Sequence, residues 1–156
     1  MEIIQPPATA KLPPEMFTGD AWADVIHRGQ DPSRVRMNMV RFAPGARTAW
    51  HSHGLGQTLW IVEGIALVQS RGGDIVEARP GDVIVTPADE VHWHGAAPDR
   101  FMAHIALWEG DDVDWLEHVG DAEYTGPRTA LLRTPPSSPA PYGSRMTPAR
   151  RLETLP

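Results

Sequence analysis

At 156 residues and 41% hydrophobic side chains, the chain is long enough to enclose one core and short for two. Its net charge of −6 gives nucleic-acid binding no electrostatic support, and the absence of cysteine excludes disulfides, thiolate nucleophiles and cysteine-held zinc or iron–sulfur centres. No apolar run approaches the roughly 18–20 residues of a membrane span. The N-terminus, MEIIQPPATAKLPP, also lacks the basic start and apolar stretch of a signal peptide, so a soluble cytoplasmic protein is expected.

Charge and proline divide the chain into three parts. Residues 1–30 read as an N-terminal arm, since Pro6, Pro7, Pro13 and Pro14 disfavour helix. Such an arm could add a strand to its own sheet or to a neighbouring subunit. Within it, Phe17–His27 has partly helical spacing between Gly19 and Gly29 and stays ambiguous. Residues 31–125 read as the folded body. Residues 126–156 hold seven Pro, five Arg and one Glu, a composition that cannot bury a core and reads as a flexible tail.

The body reads as β. Short runs over 35–42, 48–53, 58–62, 65–69, 75–78, 83–86, 91–96 and 101–108 are separated by turn residues such as Pro44-Gly45, Glu63-Gly64, Gly72-Gly73 and Pro80-Gly81. This spacing predicts an all-β sandwich or barrel. In the first run Asn38, Val40 and Phe42 share a face. Asp111–Val119 is expected to form a short C-terminal helix, capped by Asp111 or Asp112, with Trp115, Leu116 and Val119 on its apolar face.

The histidines carry the chemistry. His51 and His53 are two apart, as are His92 and His94 some forty residues later. On a strand, residues two apart point the same way, so each pair presents two imidazoles to one point. Neutral imidazole is the commonest metal ligand and suits several divalent ions. Two such pairs on separate strands therefore predict a metal site inside a small barrel. Trp50 and Trp93 alternate with these histidines and are expected to pack on the opposite side. Arg47 either points inward to bind an anion or outward as an interface or ion-pair residue. His27 and His118 fall outside the barrel strands and read as surface residues.

Gly45, His51, His53, Gln57 and Gly64, at their spacing, resemble the first signature of the cupin family, and Gly81, Pro87 and His92 are similar to the second. The resemblance implies a cupin double-stranded β-helix, or jelly-roll barrel. It implies a divalent metal on His51, His53 and His92, with Gln57 where many cupins have Glu. Ala96 stands where the family often has Asn. Three imidazoles and an amide leave the charge of a bound divalent ion uncancelled, which strengthens it as a Lewis acid. The alternative for Gln57 is a hydrogen bond to a water on a three-histidine metal.

A narrower resemblance covers GARTAWHSH, LGQTL, HWHGAAP and the DW and EHV that follow the last strand. These runs look like the small bacterial cupins that act as manganese-dependent hydroxynitrile lyases. That implies cleavage or formation of cyanohydrins, with manganese the expected metal and iron, nickel or zinc compatible with the same ligands. His94 is then the candidate base, helped by His104, and the alternative for both is orientation of a ligand. Val40 and Phe42 would line an apolar pocket for a neutral small-molecule substrate. A homo-oligomer, dimer or tetramer, is expected. The rival functions are a metal-dependent dioxygenase or other oxidative cupin acting on a small aromatic substrate, and a non-catalytic small-molecule-binding cupin.

Overall fold

The computed structural model describes residues 1–110 and 112–129. It is built almost wholly of strands: β1 (Ala10–Lys11), β2 (Phe17–Thr18), β3 (Ala21–Arg28), β4 (Val35–Phe42), β5 (Arg47–Thr48), β6 (His51–His53), β7 (Gln57–Gly64), β8 (Ala66–Ser70), β9 (Ile75–Ala78), β10 (Val83–Thr86), β11 (His92–Ala96), β12 (Met102–Glu109), β13 (Val113–Trp115) and β14 (Arg128–Thr129). One short helix, α1 (Asp121–Tyr124), follows β13. Among the described residues no helix is long and apolar enough to cross a membrane.

The strands form two sheets. The first runs β1-β3-β4-β12-β7-β10, and the second β13-β6-β11-β8-β9-β14, with β5 pairing β11 and β2. After β4 the chain passes repeatedly from one sheet to the other, which is the winding of a jelly roll. The all-β expectation is met. Strands β4, β12 and β7 form the centre of the first sheet, with Val40 opposite His104 and Trp108 opposite both Arg36 and Gln57.

Two of the predicted segments come out differently. Residues 113–115 are a strand, not part of a helix over Asp111–Val119. Val113 pairs His53 and Trp115 pairs His51 at the open edge of β6, and the Trp115 ring stacks on His51 at 4.7 Å. Sheet pairing and ring stacking outweigh the local helical spacing. The helix forms one turn later, at Asp121–Tyr124. Asp111, one of the two expected caps, lies outside the described residues. The ambiguous stretch over 17–27 is β2 and β3, and β3 pairs β4 from Ala21↔Phe42 to Arg28↔Arg36. The expected arm thus supplies three strands, with β1 pairing its own β3. Of the expected tail, residues 128–129 form β14 alongside β9, and residues 130–156 lie outside the described residues.

Two apolar clusters sandwich the second sheet. Inside the barrel Phe17, Phe42, Ile61 and Met102 pack with small alanines. Outside it Trp50, Trp93, Leu67, Ile75, Val119 and Tyr124 form a second cluster. The expectation that Trp50 and Trp93 pack away from the metal face is met. Arg47 resolves as a clamp. It is buried, donates through Nε and Nη2 to Val119 O at 3.2 and 2.9 Å, pairs with Asp121 at 2.6 Å and lies over the Tyr124 ring. Tyr124 Oη in turn donates to Ala96 O at 2.7 Å. The C-terminal turn is thereby fixed to β5 and β11.

Gly95 is where β11 and β5 come closest. A Cβ there would lie 2.5 Å from Ala46 O and 2.6 Å from Arg47 Cα. Gly95→Ala is expected to destabilise the chain by about 1–3 kcal/mol through this overpacking. The check is the denaturant midpoint at unchanged slope, and wild-type stability in the variant would contradict the close approach.

Candidate metal centre

The β6–β11 pairing places His92 opposite His51. Alternation then turns His51 and His53 from β6, and His92 and His94 from β11, into the barrel. One ring nitrogen from each of His51, His53 and His92 lies within 4.8 Å of the others, and all three residues are buried. Gln57, at the start of β7 in the opposite sheet, brings Oε1 to 3.1 Å from His92 Nε2. The four residues expected to hold a metal are therefore neighbours.

Backbone carbonyls set the tautomers of two of these rings. His51 Nδ1 donates to Ala49 O and His92 Nδ1 donates to Glu90 O, each at 3.0 Å, because a carbonyl can only accept. Each Nε2 is then left with a lone pair. With Oε1 turned toward His92, two acceptors face each other across 3.1 Å, an arrangement that a shared cation makes favourable. Both ring nitrogens of His53 are buried without a hydrogen-bond partner among the described residues. A buried polar atom left alone is costly, and a metal–nitrogen bond removes that cost for one of them. The donor set is three nitrogens and one amide oxygen, all neutral, which suits a divalent transition metal. The residues present fit the ion.

His94 and His104 form a second unit beside it. Their rings meet edge-on at 4.8 Å, and His104 Nε2 lies 3.2 Å from His94 Nδ1, so one proton is shared between them. His94 also touches His51, with centroids 5.2 Å apart. The outer nitrogens, His94 Nε2 and His104 Nδ1, are buried and have no partner among the described residues. Phe42 packs against both rings, at 5.9 and 5.6 Å, and Val40 is across the strands from His104. His27 and His118 are exposed, as expected.

Two aromatic side chains also border these histidines. Trp115 stacks on His51, and Trp108 tilts against His53 at 5.7 Å. The alternation His104, Ala106, Trp108 along β12 carries the signal for the second, since it sets Trp108 on the inward row. Trp115 was hidden by its assignment to a helix.

Burial pushes all five inward histidines below the usual imidazole range. Desolvation dominates for each, and neighbouring imidazoles add to it for His51, His53 and His94. His53 is lowered to about 4 and His104 to about 3. The neutral forms therefore prevail near neutral pH. A depressed imidazole pKa means that the unfolded chain binds more protons than the folded one below about pH 6.5. Stability of the metal-free chain is then full above that pH and is lost as pH falls toward 3–4. The slope is about 1.4 kcal/mol per pH unit for each such histidine. Urea midpoints of chelator-treated protein between pH 7.5 and 5, above the carboxylate range, should fall with pH, and a flat profile would contradict burial of neutral imidazoles.

Comparison with known proteins agrees with this geometry. Residues 38–113 match the cupin domain. A protein of Granulicella tundricola named (R)-mandelonitrile lyase is 47% identical over 120 residues, covering 75% of this chain and 92% of that one. The crystal structure of a cupin-like protein from Thermotoga maritima superposes with a TM-score of 0.71 at 34% identity, covering 80% of this chain and 95% of that one. A cupin 2 conserved barrel domain protein from Rhodopseudomonas palustris shares the fold at 13% identity, with a TM-score of 0.60 over 69% of this chain and 76% of its own. A two-sheet jelly roll, histidines from two paired strands turned into its interior, the cupin-domain match and a cupin-like relative this similar over most of both chains make the protein a member of the cupin family.

Proposed function

We propose that the chain is a metal-dependent hydroxynitrile lyase that cleaves aromatic cyanohydrins to an aldehyde and HCN, and runs the reverse addition. The observation that carries this reading is the buried His94–His104 pair set directly against the metal-binding histidines. The similarity to a protein named (R)-mandelonitrile lyase supports it. A purely structural metal site has no use for two further neutral imidazoles in its interior.

His51, His53, Gln57 and His92 would hold the ion, with manganese the preferred metal. A bound divalent cation supplies Lewis acidity toward the substrate oxygen. The chain's own part is proton handling and exclusion of water. With His94 Nδ1 donating to His104 Nε2, the free lone pair lies on His94 Nε2, which accepts the cyanohydrin hydroxyl proton. His104 steadies the resulting imidazolium by sharing its proton. The electron pair released from O–H forms the carbonyl, and the C–C pair leaves with cyanide. Burial keeps His94 neutral before reaction, so it begins as an acceptor. Phe42 and Val40 give the interior an apolar wall suited to a neutral aryl group.

We also read the chain as a homo-oligomer. The outer surface of β7 and β10 exposes Trp60, Val62, Val83 and Val85, an apolar row that a second copy would cover.

Metal analysis of protein purified without chelators, followed by a mandelonitrile assay under anaerobic conditions, tests the function. Benzaldehyde release is expected without oxygen uptake. Oxygen-dependent consumption of an aromatic substrate, with no release from mandelonitrile, would favour an oxidative cupin instead. His94→Ala should retain the metal and lose about 100-fold or more of turnover; loss of metal in that variant would make His94 a ligand. Gln57→Glu should keep the fold and lower turnover, because a carboxylate cancels part of the cationic charge. Unchanged turnover in Gln57→Glu would count against the role given to neutral donors.

A further inference from the structure

One buried polar group in the barrel wall can be satisfied neither by a metal nor by a proton. Trp108 Nε1 is buried and has no hydrogen-bond partner among the described residues. An indole N–H is a donor only, with no lone pair to offer a cation. It needs an acceptor, and leaving such a donor buried and unpaired is costly. Of the other orphaned ring nitrogens, one of His53 has a metal to bind and His94 Nε2 has a proton to accept. Trp108 is accounted for by neither.

Its position is informative. Along β12 the inward row runs His104, Ala106, Trp108. Trp108 pairs with Gln57 on β7 and its ring lies 5.7 Å from that of His53, so it borders the metal donors on one side. His94 and His104 border them on another, through His51. His104 and Trp108 are four residues apart, roughly 13 Å along the strand, with only the small Ala106 side chain between them on that row.

A cyanohydrin carries two polar groups on one carbon. Its hydroxyl must give up a proton, and its nitrile nitrogen can only accept a hydrogen bond. We propose that the Trp108 indole N–H is the nitrile subsite, donating to the nitrile nitrogen of the bound cyanohydrin and then to the departing cyanide. This rests on the lyase reading. The hydroxyl proton passes to His94, the O–H pair becomes the second C–O bond, and the C–C pair leaves on the cyanide carbon. Cyanide then takes the proton back from His94 and departs as HCN. Negative charge builds on the C–N unit as the bond breaks, so the hydrogen bond from Trp108 strengthens toward the transition state.

The test separates the subsite from the overall activity. Indole-labelled, zinc-loaded protein gives a diamagnetic sample with six tryptophan side chains to observe by NMR, and Trp108→Phe identifies the Trp108 N–H resonance. Phenylacetonitrile, which has the nitrile but no hydroxyl to react, should move that resonance downfield. 3-Phenyl-1-propyne, of the same shape but without the acceptor nitrogen, should not. In the mandelonitrile assay Trp108→Phe should lower kcat about tenfold or more, with a smaller change in KM and unchanged metal content. An unmoved resonance, or an equal shift with the alkyne, overturns the proposal, as does wild-type kcat in Trp108→Phe. If the wild-type protein does not cleave mandelonitrile the lyase reading fails, and the nitrile-specific shift still decides whether Trp108 binds this group.

Discussion

Everything at the centre of the molecule depends on the register of two short strands. His92 stands opposite His51, and from that single pairing the alternation of β6 and β11 turns four imidazoles into the barrel. A slip of one residue would carry all four to the other face and bring Trp50 and Trp93 inside. The two tryptophans oppose that slip, because both are buried in the outer cluster with Leu67, Ile75 and Tyr124. The same strands therefore carry the clustered histidines on one side and an anchoring apolar cluster on the other. Arg47 adds a polar anchor, tying the chain at Val119 and Asp121 back to β5.

The histidines sit in an environment that removes their charge but not their lone pairs. Ala49 O and Glu90 O take the Nδ1 protons of His51 and His92, which directs their Nε2 atoms to the interior. Burial does the rest by disfavouring the imidazolium form. His94 and His104 share one proton instead of passing theirs to the backbone, which keeps one nitrogen of that pair available. Two kinds of second partner thus divide the inward histidines into those tied to backbone carbonyls and those tied to each other.

Much of this was readable in the chain because its signals are local. The two His-x-His pairs and the Pro-Gly turns set the strand pattern, and the alternation of Trp50 and Trp93 with histidines gave their outward direction. What escaped was decided by distant partners. Trp115 has helical neighbours in sequence, yet its strand exists because β6 has an open edge and His51 offers a ring to stack on. Arg47 could point either way until Val119 and Asp121 came into reach. The early strands β1–β3 are short or weakly patterned, and they form because β4 presents a long edge for β3. Gln57 was placed beside the histidines by motif, while its facing of His92 across the two sheets is a tertiary fact.

Burial of β11 on both faces has a further consequence. All five of its residues are buried, and so are all three of β6. Their backbone is held by neighbouring strands and by two apolar clusters. In many small metal domains the ion organises the chain, and binding and folding are one event. Here sheet pairing and two apolar clusters organise β6 and β11, so the fold around His51, His53 and His92 has sources of stability other than an ion.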